Sequence, residues 1–302
     1  MYRRAVSVLC CITREARFVL KDLIALTKPR LLRLNVFAAI GGFWVASKWD
    51  FDWLKLLWVV IGSAVTIGAA CVINNYWDRE LDQKMERTKD RALPMGRLKP
   101  GFVLGYGIVL SIVGLTILFA LVNPVTGWLG FLGWFVYIFV YTIWLKRTST
   151  WSTSIGGISG AMPPVLGYCA VTTEVDMGAW LLFAFLFLWQ PAHFWSLAIR
   201  RVEEYRTAGF PLLPVVKGIK RTKLQMIPYV VLLIPTCVLL YTYHYTGIVF
   251  LILSVIAGIV WAVHTLQGLK AENTEKWAKV NFLISVNYLM VVFIVMMANT
   301  VK

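Results

Sequence analysis

Nine apolar runs of roughly bilayer length dominate this 302-residue chain, near 31–48, 53–75, 101–122, 125–145, 151–172, 178–199, 224–242, 246–266 and 280–299. A run of about 17–25 apolar residues is what an α-helix needs to cross the hydrocarbon core. A helix also satisfies its own backbone inside lipid, which leaves few other folds open to such a chain. The expected fold is therefore an all-α integral membrane protein with nine transmembrane helices. With 59% apolar residues, little chain remains for a soluble domain. The sequence reads as a basic N-terminal arm over 1–30 and a single membrane domain over 31–302.

The net charge of +15 suggests nucleic-acid binding until it is mapped onto the spans. Of 30 Lys and Arg residues, 27 fall on one side of a nine-span topology. They lie before and at the start of span one, then between spans two and three, four and five, six and seven, and eight and nine. Only Lys48, Lys55 and Lys302 fall on the other side. This is the positive-inside pattern, so the N-terminus is expected in the cytoplasm and the C-terminus outside. Ordinary topology accounts for the charge, and nucleic acid is not an expected partner. The five cysteines, Cys10, Cys11, Cys71, Cys169 and Cys237, have no metal-ligand spacing. Cys10 and Cys11 follow Arg3-Arg4 and faintly suggest a signal or palmitoylation segment, but no small-residue cleavage site follows.

Polar residues concentrate at the cytoplasmic ends of particular spans. Asn74, Asp78 and Asp82 are spaced by four, so on a helix they stack on one face, drifting about 40° per step, with Asn75 beside them. Five of the fifteen acids crowd into residues 78–90. Such a row of hard oxygens suits Mg²⁺, which commonly bridges to substrate phosphates. A basic collar follows in Arg87, Lys89, Arg91, Arg97 and Lys99. Acid for metal and base for phosphate at a membrane surface point to a lipid diphosphate.

A second polar end follows span six. If its helix continues, Arg200 and Glu204 fall within about 20° of His193. Glu204, with Glu203, offers oxygen to a second Mg²⁺, and Arg200 or Arg201 offers charge to phosphate. His193 fits a hydrogen-bonded core histidine, a heme ligand or a proton carrier. A third polar end, Tyr141 with Lys146-Arg147, offers Lys146 to diphosphate. The long loops near 76–100 and 200–223 lie four spans apart, a hint of internal duplication around a shared cavity. Span five carries Gly156 and Gly160 at close-packing spacing, then Pro163-Pro164, which is expected to break the helix near mid-membrane.

The stretch Asn74 to Asp82 resembles the first aspartate-rich motif of the UbiA superfamily of intramembrane prenyltransferases. Further motifs resemble its protoheme IX farnesyltransferase (heme O synthase) branch. These include Leu26-Thr27-Lys28-Pro29-Arg30, Met85-Glu86-Arg87-Thr88-Lys89, Tyr141-Thr142 with Leu145-Lys146-Arg147-Thr148, and Pro163-Pro164. Trp189-Gln190, His193-Phe194, Glu204-Tyr205 with Ala208-Gly209, and Leu213-Pro214-Val215-Val216 complete the match. The chain departs from the wider superfamily at Glu203-Glu204, where the second motif is usually aspartate-rich, and at Ala208, in place of a second acid.

The resemblance implies helices around a central cavity, with the acidic motifs facing each other at its cytoplasmic end. It implies a Mg²⁺-dependent reaction in which farnesyl diphosphate, heme b and water give heme O and diphosphate. Asp78, Asp82 and Lys146 would be catalytic, and Asn74, Asn75, Asp78, Asp82 and Glu204 would hold metal. Arg87, Arg91, Lys146, Arg200 and Arg201 would bind diphosphate, and His193 is the heme-binding candidate. A heme A synthase or a terminal oxidase is an expected partner beside the lipid bilayer. The arm fits a bacterial cytoplasmic segment or the remains of an organelle-targeting sequence, and its length favours a bacterial plasma membrane with the site facing the cytoplasm. Two other functions suit the same features: a prenyltransferase acting on a quinone-precursor aromatic acid, and a transporter or binder of an anionic lipid.

Overall fold

The computed structural model describes residues 18–302, and its regular elements are helices, with one isolated antiparallel bridge between Thr246 and Thr300. Residues 1–17 of the arm, with Cys10 and Cys11, lie outside the described residues. A helix over 18–26 (α1) leads into α2 (Pro29–Ser47) and α3 (Trp53–Asp82). The long helices α4 (Pro100–Val122), α5 (Pro124–Thr148), α6 (Ser152–Thr172) and α7 (Met177–Arg200) follow. Two short helices, α8 (Val202–Ala208) and α9 (Leu213–Val216), precede α10 (Gly218–Thr242), α11 (Ile248–Lys270) and α12 (Thr274–Ala298).

Among the described residues, eight helices are long and apolar enough to cross a membrane: α3 to α7 and α10 to α12. The ninth expected span, α2, is 19 residues long but carries Arg30, Arg33 and Asn35 in its first two turns. It is nonetheless wedged into the bundle. A Cβ added at Gly42 would lie 1.8 Å from the Pro164 carbonyl oxygen, and one at Gly167 would lie 1.8 Å from that of Ala39. The α2 and α6 backbones thus touch, as small residues allow where apolar burial gives helices little reason to associate.

Helix starts follow local chemistry. Asp52, Asn123, Asp176 and Asn273 each accept a backbone N–H with the side chain at the head of α3, α5, α7 and α12. Pro163 and Pro164 do not break α6, contrary to expectation; the helix runs through both. Its neighbours press on it from α2 at Gly167 and from α7 at Gly160, where a Cβ would meet the Gln190 amide oxygen at 2.1 Å. That packing holds the helix across two missing donors, as happens in membrane bundles.

The end of the bundle away from the acidic motifs is tied shut. Trp49 Nε1 donates to the Thr300 carbonyl (2.9 Å), and the Gly247 N–H donates to that of Asn299 (2.8 Å). Cys71, Cys169 and Cys237 are buried free thiols.

Candidate active site

α3 stays helical to Asp82, well past its apolar run, so Asn74, Asp78 and Asp82 do share one helix face. All three are buried; Asp78 is only 1% exposed. Asn74 Nδ2 donates to Asp78 Oδ2 (2.8 Å) and to Thr142 Oγ1 (3.1 Å). Lys146 Nζ donates to the same Asp78 oxygen, and Arg147 stands 3.7 Å from Oδ1. Arg91 Nη1 donates to Asp82 Oδ2 (2.6 Å). Two carboxylates and three cations therefore occupy one junction.

Lys146 follows directly on a local irregularity. Residues Val136–Leu145 of α5 are wound as a π-helix, a form that recurs at functional sites. The wider winding ends directly at Lys146. Its ammonium lies 4.9 Å from the centre of the Phe210 ring and 5.9 Å from that of Tyr141, so aromatic faces support the charge.

The two long loops meet here. Met85, Ala208 and Phe210 form an apolar cluster with Leu81, Tyr205 and Leu212 packed around it. Ala208 is buried in that cluster, so an acid at this position would lose its water; a small apolar side chain suits the place. Glu204 Oε1 accepts the Arg87 N–H (3.3 Å), and Oε2 accepts from Arg201 (3.4 Å). Glu203 faces elsewhere, paired with Arg206. The expected helical continuation past Arg200 does not occur. The backbone breaks at Arg201 (φ −127°, ψ 28°), and α8 starts afresh at Val202. Glu204 reaches the first acidic loop through this kink and not along the face of His193. Arg200 has its Nε buried without a hydrogen-bond partner among the described residues. The Arg87 side chain is exposed above the loop.

Asn75 turns its amide the other way, donating to the carbonyls of Leu26 (3.0 Å) and Cys71 (2.8 Å). It ties α1 to α3. The same tie brings in a residue that the sequence reading left without a role. Lys28 sits in left-handed backbone (φ 54°) between α1 and α2 and gives its ammonium to Asn74 Oδ1 (2.6 Å). Burial holds this amine below its ordinary pKa, and the nearby charges of Arg91 and Lys146 push the same way. The only sequence signal was its place in Leu26-Thr27-Lys28-Pro29-Arg30, since nothing in spacing links it to Asn74.

Among the described residues, no three His, Cys, Asp or Glu side chains group closely enough to form a metal cage. Mg²⁺ rarely uses one; it commonly takes one or two carboxylates plus substrate phosphates and water. Among the described residues, Asp78 Oδ1 is buried without a hydrogen-bond partner, with only the Arg147 guanidinium 3.7 Å away, which leaves a hard anionic oxygen for such an ion. The oxygen-only donor set fits Mg²⁺.

The sequence matches the UbiA prenyltransferase family over residues 35–287. The chain belongs to the UbiA prenyltransferase family. It is 42% identical over 307 residues to protoheme IX farnesyltransferase 1 of Bacillus subtilis (strain 168), covering 98% of this chain and 95% of that protein. Among solved structures, it resembles digeranylgeranylglyceryl phosphate synthase (TM-score 0.79, 21% identity, 93% of this chain and 98% of that one). It also resembles a UbiA homolog from Archaeoglobus fulgidus bound to DMAPP and Mg²⁺ (TM-score 0.66, 15% identity, 91% of this chain and 99% of that one). At these identities the structures establish the UbiA fold. A UbiA prenyltransferase is a multi-pass membrane protein, in keeping with the eight apolar helices.

Proposed function

We propose that this protein transfers the farnesyl group of farnesyl diphosphate to a vinyl group of heme b, giving heme O and diphosphate. What carries the reading of the acceptor is the 42% identity, over nearly the whole chain, to a protoheme IX farnesyltransferase. The charged junction supports the reading of the donor.

Asp78 and Asp82, with the Asn74 oxygen, are the residues we propose hold Mg²⁺; Asn75 braces α3 behind them and Glu204 joins the two long loops. Mg²⁺ bound there supplies positive charge to the diphosphate. Lys146, Arg91, Arg87, Arg200 and Arg201 neutralise what remains, and Lys28 joins them. The allylic C–O bond breaks as charge builds on the leaving oxygen, where fixed cations stabilise it most. Tyr141 and Phe210 close the site around the developing carbocation and delay its capture by water. The vinyl carbon then forms the new C–C bond. Water adds to the cation left on the heme side and loses a proton. No strong base is needed.

We further propose that α2 is a ninth span, which puts the N-terminus and the site in the cytoplasm and the C-terminus outside. The setting that fits is a bacterial inner membrane, with a heme A synthase or terminal oxidase receiving the product. The basic arm over 1–30 and the domain over 31–302 remain the proposed division of the chain.

The test is mass spectrometry of hemes from membranes carrying the protein, given heme b, farnesyl diphosphate and Mg²⁺, with a chelator control. A metal-dependent hydroxyethylfarnesyl heme is expected. Unchanged heme b with prenylation of an aromatic acid would reassign the acceptor, and no turnover of either would point to lipid transport.

A further inference from the structure

α7 and α12 meet along a polar seam that the diphosphate chemistry does not use. Near its cytoplasmic end, Asn281 Nδ2 donates to Ser196 Oγ (2.9 Å). The Asn281 oxygen accepts from Trp261 Nε1 and Thr265 Oγ1, both at 3.2 Å. That network already fastens α7, α11 and α12 together. One turn along, Ser285 meets His193, with Oγ 2.8 Å from Nδ1.

The direction of this second bond can be worked out. Ser285 Oγ lies 2.6 Å from the Phe282 carbonyl oxygen, which can only accept. The hydroxyl proton is committed there, so towards His193 the serine accepts. Nδ1 therefore carries the imidazole proton, and Nε2 keeps its lone pair.

The ring is also held in place. Trp189 stacks on one face (4.3 Å, 23°) and Phe282 on the other (4.6 Å, 29°). Trp189 is itself fixed by a bond from Nε1 to the Ser285 carbonyl (2.7 Å). Nε2 has no hydrogen-bond partner among the described residues, and the side chain is half-buried. Buried ring nitrogens are generally hydrogen-bonded, whereas His193 Nε2 is neither hydrogen-bonded to the described residues nor fully enclosed by them. A histidine with one nitrogen donating to a fixed acceptor and the other left bare is arranged as metal-ligating histidines are. His193 sits seven residues before Arg200, about 10 Å into the helix, at a depth suited to the acceptor below a charged mouth.

We propose that His193 Nε2 is an axial ligand to the iron of the heme acceptor, and that Ser285 is its positioning residue. This rests on heme being the acceptor. The iron–nitrogen bond would hold the macrocycle while a vinyl group meets the allylic cation, with no change in the iron's oxidation state required.

The experiment titrates the purified, membrane-reconstituted protein with heme b alone, then records resonance Raman spectra in the ferrous state. A histidine–iron vibration is expected. It should vanish in His193→Ala and return, as an imidazole–iron vibration, when imidazole is added to His193→Gly. Ser285→Ala should weaken heme binding about tenfold or more, as loss of a ligand's hydrogen-bond partner typically does. It should raise KM for heme b while leaving that for farnesyl diphosphate unchanged, and Ser285→Thr should restore both. A histidine–iron vibration that survives in His193→Ala, in protein that still farnesylates heme, would overturn this inference and spare the function. Prenylation of an aromatic acid with no heme bound by the wild type would overturn both.

Discussion

The pair that decides most at the level of single residues is Asp78 with Lys146. Both side chains are largely buried, and Asp78 also anchors Asn74. Removing one member strands a charge, which costs about 3–5 kcal/mol, whereas replacing both with neutral groups of similar shape is often nearly neutral. Lys146→Met and Asp78→Asn are therefore each expected to lower the unfolding midpoint in detergent, and the Asp78→Asn/Lys146→Met double variant to recover most of the loss. Turnover will not recover. Each single variant and the double variant should lose at least about a hundredfold in kcat, the scale of losing one preorganised charge. A double variant as unstable as the singles would show that the two side chains do not compensate each other. Lys28→Met is expected to raise KM for farnesyl diphosphate more than it lowers kcat, in steady-state assays with heme b saturating. An unchanged KM would leave Lys28 as a tether of Asn74 only. The acidic face was legible in the sequence because helical spacing alone stacks residues 74, 78 and 82. Lys28 was not, because its link to Asn74 spans 46 residues and depends on a left-handed turn that only the packed α1 enforces.

Among helices, hydropathy located nearly every span, because bilayer thickness fixes helix length. It missed what tertiary contacts decide: the π-helical stretch before Lys146, the kink at Arg201, and the continuity of α6 through Pro163-Pro164. The α2–α6 seam shows how tight those contacts are. Gly42→Ala and Gly167→Ala would each drive a methyl into a backbone carbonyl that cannot rotate away. Overpacking of this kind costs about 1–3 kcal/mol or more, visible as a lower midpoint. Gly105→Ala is the control: a Cβ there meets nothing within 4 Å, and the alanine should stabilise α4 by up to about 1 kcal/mol. Equal effects at the three sites would remove the close-packing account. α1 is held differently. Arg97 donates to Asp22 through Nε (2.8 Å) and Nη2 (2.9 Å), and this hydrogen-bonded charge lowers the Asp22 pKa below its ordinary 3.8. A depressed carboxylate pKa stabilises above its unfolded value, and the gain is lost as pH falls through the folded one. The pair is partly exposed, so the effect is local. Protection factors for hydrogen exchange in residues 18–26, taken relative to the intrinsic rate at each pH, should fall below about pH 4, and Asp22→Asn should show the low protection already at neutral pH. Slow exchange in that variant would assign the hold on α1 to Asn75 and the apolar contacts of Leu26.

The whole molecule has two unlike ends. One gathers Lys28, Arg91, Lys146, Arg147 and Arg201 around buried carboxylates, and the other is closed by Trp49, Gly247 and the C-terminal carbonyls. The charged end serves two purposes. Lys and Arg on short loops set orientation during insertion, and the same cations can meet a diphosphate that arrives from water while its prenyl tail stays in lipid. Both purposes demand that this end face the cytoplasm, so orientation tests the topology and the proposed route of the donor together. The buried thiols Cys71, Cys169 and Cys237 should resist a membrane-impermeant maleimide, and replacing Cys10 and Cys11 with serine gives a quiet background. Lys84→Cys then marks the charged end and Glu174→Cys the other, both at exposed positions. In intact spheroplasts Glu174→Cys should label and Lys84→Cys should not, and in inverted vesicles the pattern should reverse. Labelling of both in spheroplasts would mean mixed insertion. Labelling of Lys84→Cys alone would put the carboxylates outside, away from any cytoplasmic diphosphate, and the charge asymmetry would then need a cause other than topology.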